Sequence, residues 1–397
     1  MKKLGVYQIL GPGGCNDARI PDYCRQYLEE LSQMTGIEIY PADEKEFCQQ
    51  DPKIFFIGSG GTAEKFSKVY RCAKGPYYLL TVPAWNSLAA SMEILSFLHE
   101  KQEKGEILHG TAEENADRIK DLYTVAETKR KLSRMRIGAI GEAVTLVASR
   151  VNRQVMKERV GCELMDLDIE ELIREYEAGG YEENEFVKGI KARSGNPDET
   201  EKALRVYGAV KRMVEKYHLD AVTVRCFDLL GAIQTTGCLA LAILNAEGIP
   251  AACEGDTRSL LSMTILHELT GEPVFMANPS QMDTGKQEII FAHCTVPANM
   301  PDDYTLTTHF ESGIGVALAG HMNPGPVTVF KCDESMERYY VQNAELKESL
   351  QREDLCRTQL RLFLPEGTEC FLKDPISNHQ MICKGHWAGR IRRFFSD

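Results

Sequence analysis

The sequence predicts an α/β protein. Two doubly wound parallel α/β domains are followed by an antiparallel, β-rich, barrel-like C-terminal domain. Three observations lead there. Strand-like apolar runs alternate with helically spaced runs over the first hundred residues. The same alternation reopens at Met135. From about residue 295 helical spacing stops, and short strands follow, separated by Gly, Pro and Asp. At 397 residues the chain is also too long for one ordinary core.

The first domain is expected over residues 1–105. KLGVYQIL, IEIY, KIFFIG and YYLLTVP read as strands; DYCRQYLEELSQM, TAEKFSKVYRCA and SLAASMEILSFLHEK have helical spacing. A polar stretch rich in Lys and Glu, residues 106–134, reads as a connecting helix. The central domain is expected over 135–290 and opens with MRIGAIG. Its clearest part begins with the strand AVTVRCF. The helix IQTTGCLALAILNAEG follows, closed by Gly248 at C′. Then come the strand IPAAC, the helix SLLSMTILHELTG, and the strands PVFMAN and EIIFAHCTV. The C-terminal domain, 291–397, is read from TLTTHF, GIGVALAG, PVTVFKC, YYVQNAEL, CRTQLRLFL and ECFLK as short strands.

Composition narrows the function. Lys and Arg number 46 and Asp and Glu 58, a net charge of −12. An acidic chain without a basic block argues against nucleic acid and against an anionic membrane surface. The opening MKKLGVYQILGPGGC is too broken for a secretory segment, and no apolar stretch is long enough to span a bilayer. The cytoplasm is the expected compartment. None of the thirteen cysteines forms a CxxC pair, so zinc ribbons and thioredoxin chemistry have no support. Cys226, Cys238, Cys253 and Cys294 sit in apolar contexts and read as small buried hydrophobes.

The chemistry centres on GIPAACEGDTRSLLSM, residues 248–263, where two acids flank Gly255 at the end of a strand. Ligands of open α/β sheets sit beyond the carboxyl ends of the strands. Glu254 falls at such an end, Asn278 ends the next strand, and His293 lies late in the one after. An acid, an amide and an imidazole together suit a divalent ion such as Mn²⁺, Fe²⁺ or Zn²⁺. Asp256 precedes a helical run and reads as its N-cap. GSGGT, residues 58–62, follows a strand and precedes a helix. It reads as a tight turn or an anion-holding loop, but it is not GxGxxG, which argues against a nicotinamide cofactor. No GxSxG or Walker sequence occurs.

ACEGDTRSLLSM, VFMANPSQMD, IIFAHCTVP and NHQMICKGH together resemble the L-fucose/L-arabinose isomerase superfamily, in order and rough spacing, over residues 135–397. The N-terminal third is similar only in texture and in pieces such as YYLLTVPAWNSLAASMEIL. The resemblance implies a ketol isomerase of free sugars with a divalent cation, usually Mn²⁺, assembled as a trimer, tetramer or hexamer. It implies Glu254 as metal ligand and proton carrier, and His293 and His379 as metal ligands. The family's second acid falls near Asn278, and an amide cannot act as a base at neutral pH. Asp256 and Asp283 are candidates to replace it.

His309 and Glu311 of HFESG alternate around Phe310, which places them on one side of a strand as substrate contacts or as a solvated pair. Trp85 and Asn86 end a strand in the first domain, where they either stack on and bond a sugar from a neighbouring subunit or pack locally. The chain is shorter than the classical enzymes of the family, which leaves open a modified substrate such as a 6-sulfo or 6-deoxy hexose. A non-catalytic sugar-binding or regulatory protein on the same scaffold is the reading from another class.

Overall fold

The computed structural model describes residues 2–12, 17, 19–141 and 146–396. Residues 13–15, which end the broken apolar run at the N-terminus, lie outside the described residues. One compact unit ends at Glu127 and a second runs from Thr128 to Ser396; the division falls inside the helix Ala112–Leu132.

The first unit holds β1 (Lys3–Ile9), β2 (Glu38–Pro41), β3 (Lys53–Ile57), β4 (Tyr77–Thr81) and β5 (Gly105–Leu108). They form one parallel sheet in the order β2-β1-β3-β4-β5. Parallel strands need crossovers, and the helices of those crossovers cover both faces. Alternate residues therefore feed two cores. Leu4, Val6, Ile54, Phe56, Tyr78 and Leu80 enter one, while Ile9, Phe55, Ile57, Tyr77 and Leu79 enter the other.

The second unit opens with β6 (Arg136–Ile140), β7 (Glu163–Leu167), β8 (Ala221–Val224) and β9 (Ala251–Cys253), parallel in the order β7-β6-β8-β9. The helix Cys238–Ala246 is buried along nearly its whole length and turns out through Gly248 at φ +82°, the C′ position expected for it. Its buried Asn245 donates to the Leu241 and Ala251 carbonyls and accepts from the Ala251 N–H. That amide pins the start of β9, the strand that leads to Glu254.

The remaining strands are β10 (Phe275–Asp283), β11 (Glu288–His293), β12 (Asp303–Thr307), β13 (Ala317–His321), β14 (Gly325–Cys332), β15 (Tyr339–Ser349), β16 (Thr358–Phe363) and β17 (Gln380–Lys384). Six of them close an antiparallel barrel in the order β10-β11-β16-β15-β14-β17. The helix Thr257–Thr270 packs against β8 and β9 and also against β14 and β17, and it is buried on every side. No helix among the described residues is long and apolar enough to cross a membrane.

Three expectations about these elements change. β10 and β11, expected to continue the central parallel sheet, are neighbouring staves of the barrel. A turn joins them, with the Asp283 carboxylate accepting from Lys286 N, and so short a link permits only antiparallel pairing. TLTTHF and GIGVALAG contribute β12 and β13, which pair with each other outside the barrel. ECFLK is not a strand but the short helix Cys370–Lys373, whose Phe371 meets Phe291 and Tyr340 edge-on.

Candidate metal centre

β9 is three small buried residues, and Thr223 Oγ1 ties its end by donating to the Cys253 carbonyl. The chain then passes through Glu254 at φ +64° and Gly255 at φ +68°, two left-handed residues in a row. For Gly255 that conformation is free, but for Glu254 it costs roughly 1–2 kcal/mol. The turn sends the two acids in different directions. Glu254 faces the histidines of the barrel, while Asp256 turns back to cap the helix Thr257–Thr270, as its position predicts.

The histidines arrive from strands on either side of β10. β10 pairs with β11 through Asn278↔Ala292 and with β17 through Ala277↔Gln380. His293 ends β11 and His379 immediately precedes β17, so both stand at the same level of the barrel. Their rings lie 5.4 Å apart at 76°. Each Nε2 is 3.5 Å from Glu254 Oε1. One donor atom from each of the three residues lies within 4.8 Å of the others.

The far side of each ring is held. His293 Nδ1 is 2.9 Å from Thr295 Oγ1, and His379 Nδ1 is 2.9 Å from Asp256 Oδ2. Both rings are thereby turned to present Nε2 to Glu254, the arrangement that orients metal-binding histidines. Bond lengths of about 2.0–2.2 Å place two ligand atoms of one ion roughly 3–3.5 Å apart, which the two 3.5 Å spacings to Glu254 Oε1 match. One carboxylate with two imidazoles suits a borderline divalent ion. The residues present therefore fit the group.

Charge agrees with this geometry. Burial alone would raise the Glu254 carboxyl, but hydrogen bonding to His293 and His379 outweighs it and holds the group well below the usual range. Asp256 is fully buried, which again would raise it. The Lys331 charge and the bond with His379 bring it to about 2. Asp256 uses both oxygens: Oδ1 accepts from Ser259 N, and Oδ2 from Ser259 Oγ and His379 Nδ1.

The other sequence-predicted residues fall into three places. Asn278 stands beside the cluster without joining it, and its Oδ1 accepts from Asn378 Nδ2, which is 3.4 Å from His379 Nε2. It also lies within β10, which continues to Asp283, and does not end the strand. Asp283 is five residues further along β10, roughly 15 Å away at the rise of a strand, and bonds its own turn. It cannot stand in for an acid at 278. His309 and Glu311 are not on a strand but in and beside the turn after β12. His309 is buried against Phe227, with Nδ1 2.9 Å from Ser312 Oγ, and Glu311 is exposed. Trp85 and Asn86 lie in the first unit, not at a strand end but in the turn between β4 and the helix Ser87–Glu100, both at positive φ; Trp85 packs edge-on to Tyr23 at 4.9 Å. The GSGGT loop is a tight turn: Gly60 N donates to the Trp85 carbonyl and Ser59 Oγ accepts from Gly11 N.

One residue that sequence reasoning passed over is Lys331. It lies in β14, is completely buried, and donates from Nζ to Ser259 Oγ at 2.7 Å. The available signal was a lysine inside the apolar run VTVFKC. The four cysteines read as buried hydrophobes, Cys226, Cys238, Cys253 and Cys294, are buried free thiols.

No protein-family model matches the chain. Two curated proteins, both named sulfoquinovose isomerase, are similar to it. The one from Clostridium sp. (strain MSTE9) is 32% identical over 130 residues, covering 32% of this chain and 28% of that protein. The one from Alkalicoccus urumqiensis is 22% identical over 275 residues, covering 64% and 60%. The chain spans less than two thirds of the length of either relative.

Proposed function

We propose that the chain is a metal-dependent ketol isomerase of a free monosaccharide, with a hexose carrying a sulfonate at C6 as its substrate. The observation that carries the reaction class is the convergence of Glu254, His293 and His379 from a strand end and two barrel strands. The choice of a 6-sulfonated over a 6-deoxy or unmodified hexose rests on the names of the two similar proteins. The resemblance to the L-fucose/L-arabinose isomerases supports Mn²⁺ as the ion and a homo-oligomer as the assembly.

Aldose–ketose exchange moves one proton between C1 and C2 and another between the two oxygens, and negative charge develops on those oxygens in between. A divalent cation held by Glu254, His293 and His379 would supply positive charge opposite those oxygens. The chain supplies the proton carrier and the orientation. Glu254 is kept anionic beside two imidazoles, and it is the acid of the cluster with an oxygen facing the site. Asp256 has no oxygen to spare and acts by fixing His379. Asn278 offers an amide beside the cluster for binding a sugar hydroxyl, not a base.

The amide at 278 also favours a second reading, a protein that binds a sugar on this scaffold without converting it. Turnover separates the two. Protein stripped of metal and reloaded with Mn²⁺ should isomerise a 6-sulfo hexose. Glu254→Gln should lower the rate by about 10²–10⁴ with an unchanged circular dichroism spectrum. Full activity in that variant would remove Glu254 from the chemistry.

A further inference from the structure

We propose that Lys331 is a positioning residue for the metal centre, acting on His379 through Ser259 and Asp256. This rests on the reading of Glu254, His293 and His379 as metal ligands.

A lysine with no exposed surface is expensive to bury, and it persists where its charge and its protons are both used. Lys331 projects from β14, whose pairing Phe330↔Met381 sets it beside Gln380, the neighbour of His379. Its Nζ donates to Ser259 Oγ at 2.7 Å. A hydroxyl that accepts from an ammonium must turn its own proton elsewhere, and Ser259 donates to Asp256 Oδ2 at 2.6 Å. The same Oδ2 accepts from His379 Nδ1 at 2.9 Å. Lys331, Ser259, Asp256 and His379 are each 0% exposed, so bulk water does not compete for these links. Among the described residues, Arg258 is also a cation nearby and is paired with Glu334 at 3.0 Å. Lys331 is therefore the charge facing the buried Asp256 carboxylate.

The consequence is geometric. Asp256 already caps the helix through Oδ1. Lys331 fixes which way the Ser259 proton points, which fixes Oδ2, which fixes the plane and tautomer of His379. Outer partners of this kind set metal affinity by about 10–100-fold.

The test is Mn²⁺ affinity, read by electron paramagnetic resonance on the full chain without sugar. It compares the wild type with Lys331→Met, Ser259→Ala, the double variant, and Cys332→Ala. Cys332 is the next residue on β14, is equally buried, and its Sγ lies 3.5 Å from Ser262 Oγ of the same helix. It reports generic loosening of that contact. The inference predicts a dissociation constant raised about 10–100-fold in Lys331→Met. It predicts a rise of the same sense in Ser259→Ala, no further loss in the double variant, and wild-type affinity in Cys332→Ala. If Lys331→Met does not fold, Ser259→Ala decides, because it cuts the same link and leaves the charge. Wild-type affinity in Ser259→Ala, or equal losses in Cys332→Ala, would overturn the inference and leave the metal centre standing. A wild type that binds no Mn²⁺ would overturn both.

Discussion

Glu254 occupies a backbone conformation that glycine adopts freely and other residues adopt at a cost. The strain turns the carboxylate toward His293 and His379, and it sits where a ligand would be wanted. The next acid shows the opposite economy. Asp256 serves the helix, His379 and Lys331 at once, so its removal should be costly. Asp256→Ala is expected to destabilise the protein by about 3–5 kcal/mol, because it leaves Lys331 buried without its counter-charge. Asp256→Asn keeps an acceptor for the cap and should lose about 1 kcal/mol less. Urea unfolding of the two variants checks both the size and the order. At this scale the sequence was legible where a residue had a local reason. Asp256 stood before a helix, and Glu254 followed an apolar strand with nothing to solvate it. Lys331 was not legible, because its partners come from a distant helix and only the tertiary fold makes its charge useful.

The barrel strands act on the site as a set. β10 holds β11 on one side and β17 on the other, and the two histidines ride on those neighbours. Phe291 in β11 is fully buried two residues before His293 and packs edge-on to Phe371. Phe291→Ala should cost about 3–5 kcal/mol. It should also loosen His293, so Mn²⁺ affinity is expected to fall along with the melting temperature. A melting temperature within a degree of wild type would contradict the packing account. Strands were easier to recognise than their partners. PVFMAN and EIIFAHCTV were visible as apolar runs, but their membership of the barrel was fixed by the tight link at Asp283, a signal weaker than the doubly wound pattern before it. β17 hid inside NHQMICKGH, whose polar ends mask the buried Met381, Ile382 and Cys383. ECFLK read as a strand because five residues carry too little periodicity to separate strand from helical turn.

At the scale of the whole molecule, the α/β texture and the barrel-like C-terminal part were both legible, because buried parallel strands and short antiparallel ones differ in composition and spacing. All four residues of the Glu254, Asp256, His293 and His379 arrangement belong to the second unit. A fragment of residues 112–396, which keeps the whole helix Ala112–Leu132, is therefore expected to fold and to bind Mn²⁺ as tightly as the full chain. Calorimetric titration compares the two, and a fragment that folds without binding would contradict the claim that this unit holds the complete ligand set. The most direct test of the central claim is hydrogen exchange at the reacting carbon. Metal-stripped protein, with and without added Mn²⁺, would be incubated in D₂O with 6-sulfo, 6-deoxy and unmodified aldoses. The account predicts deuterium at C2 of the 6-sulfo hexose, only with metal, and incorporation about 10²–10⁴-fold slower with Glu254→Gln. No deuterium in any aldose, from protein that binds Mn²⁺, would contradict it.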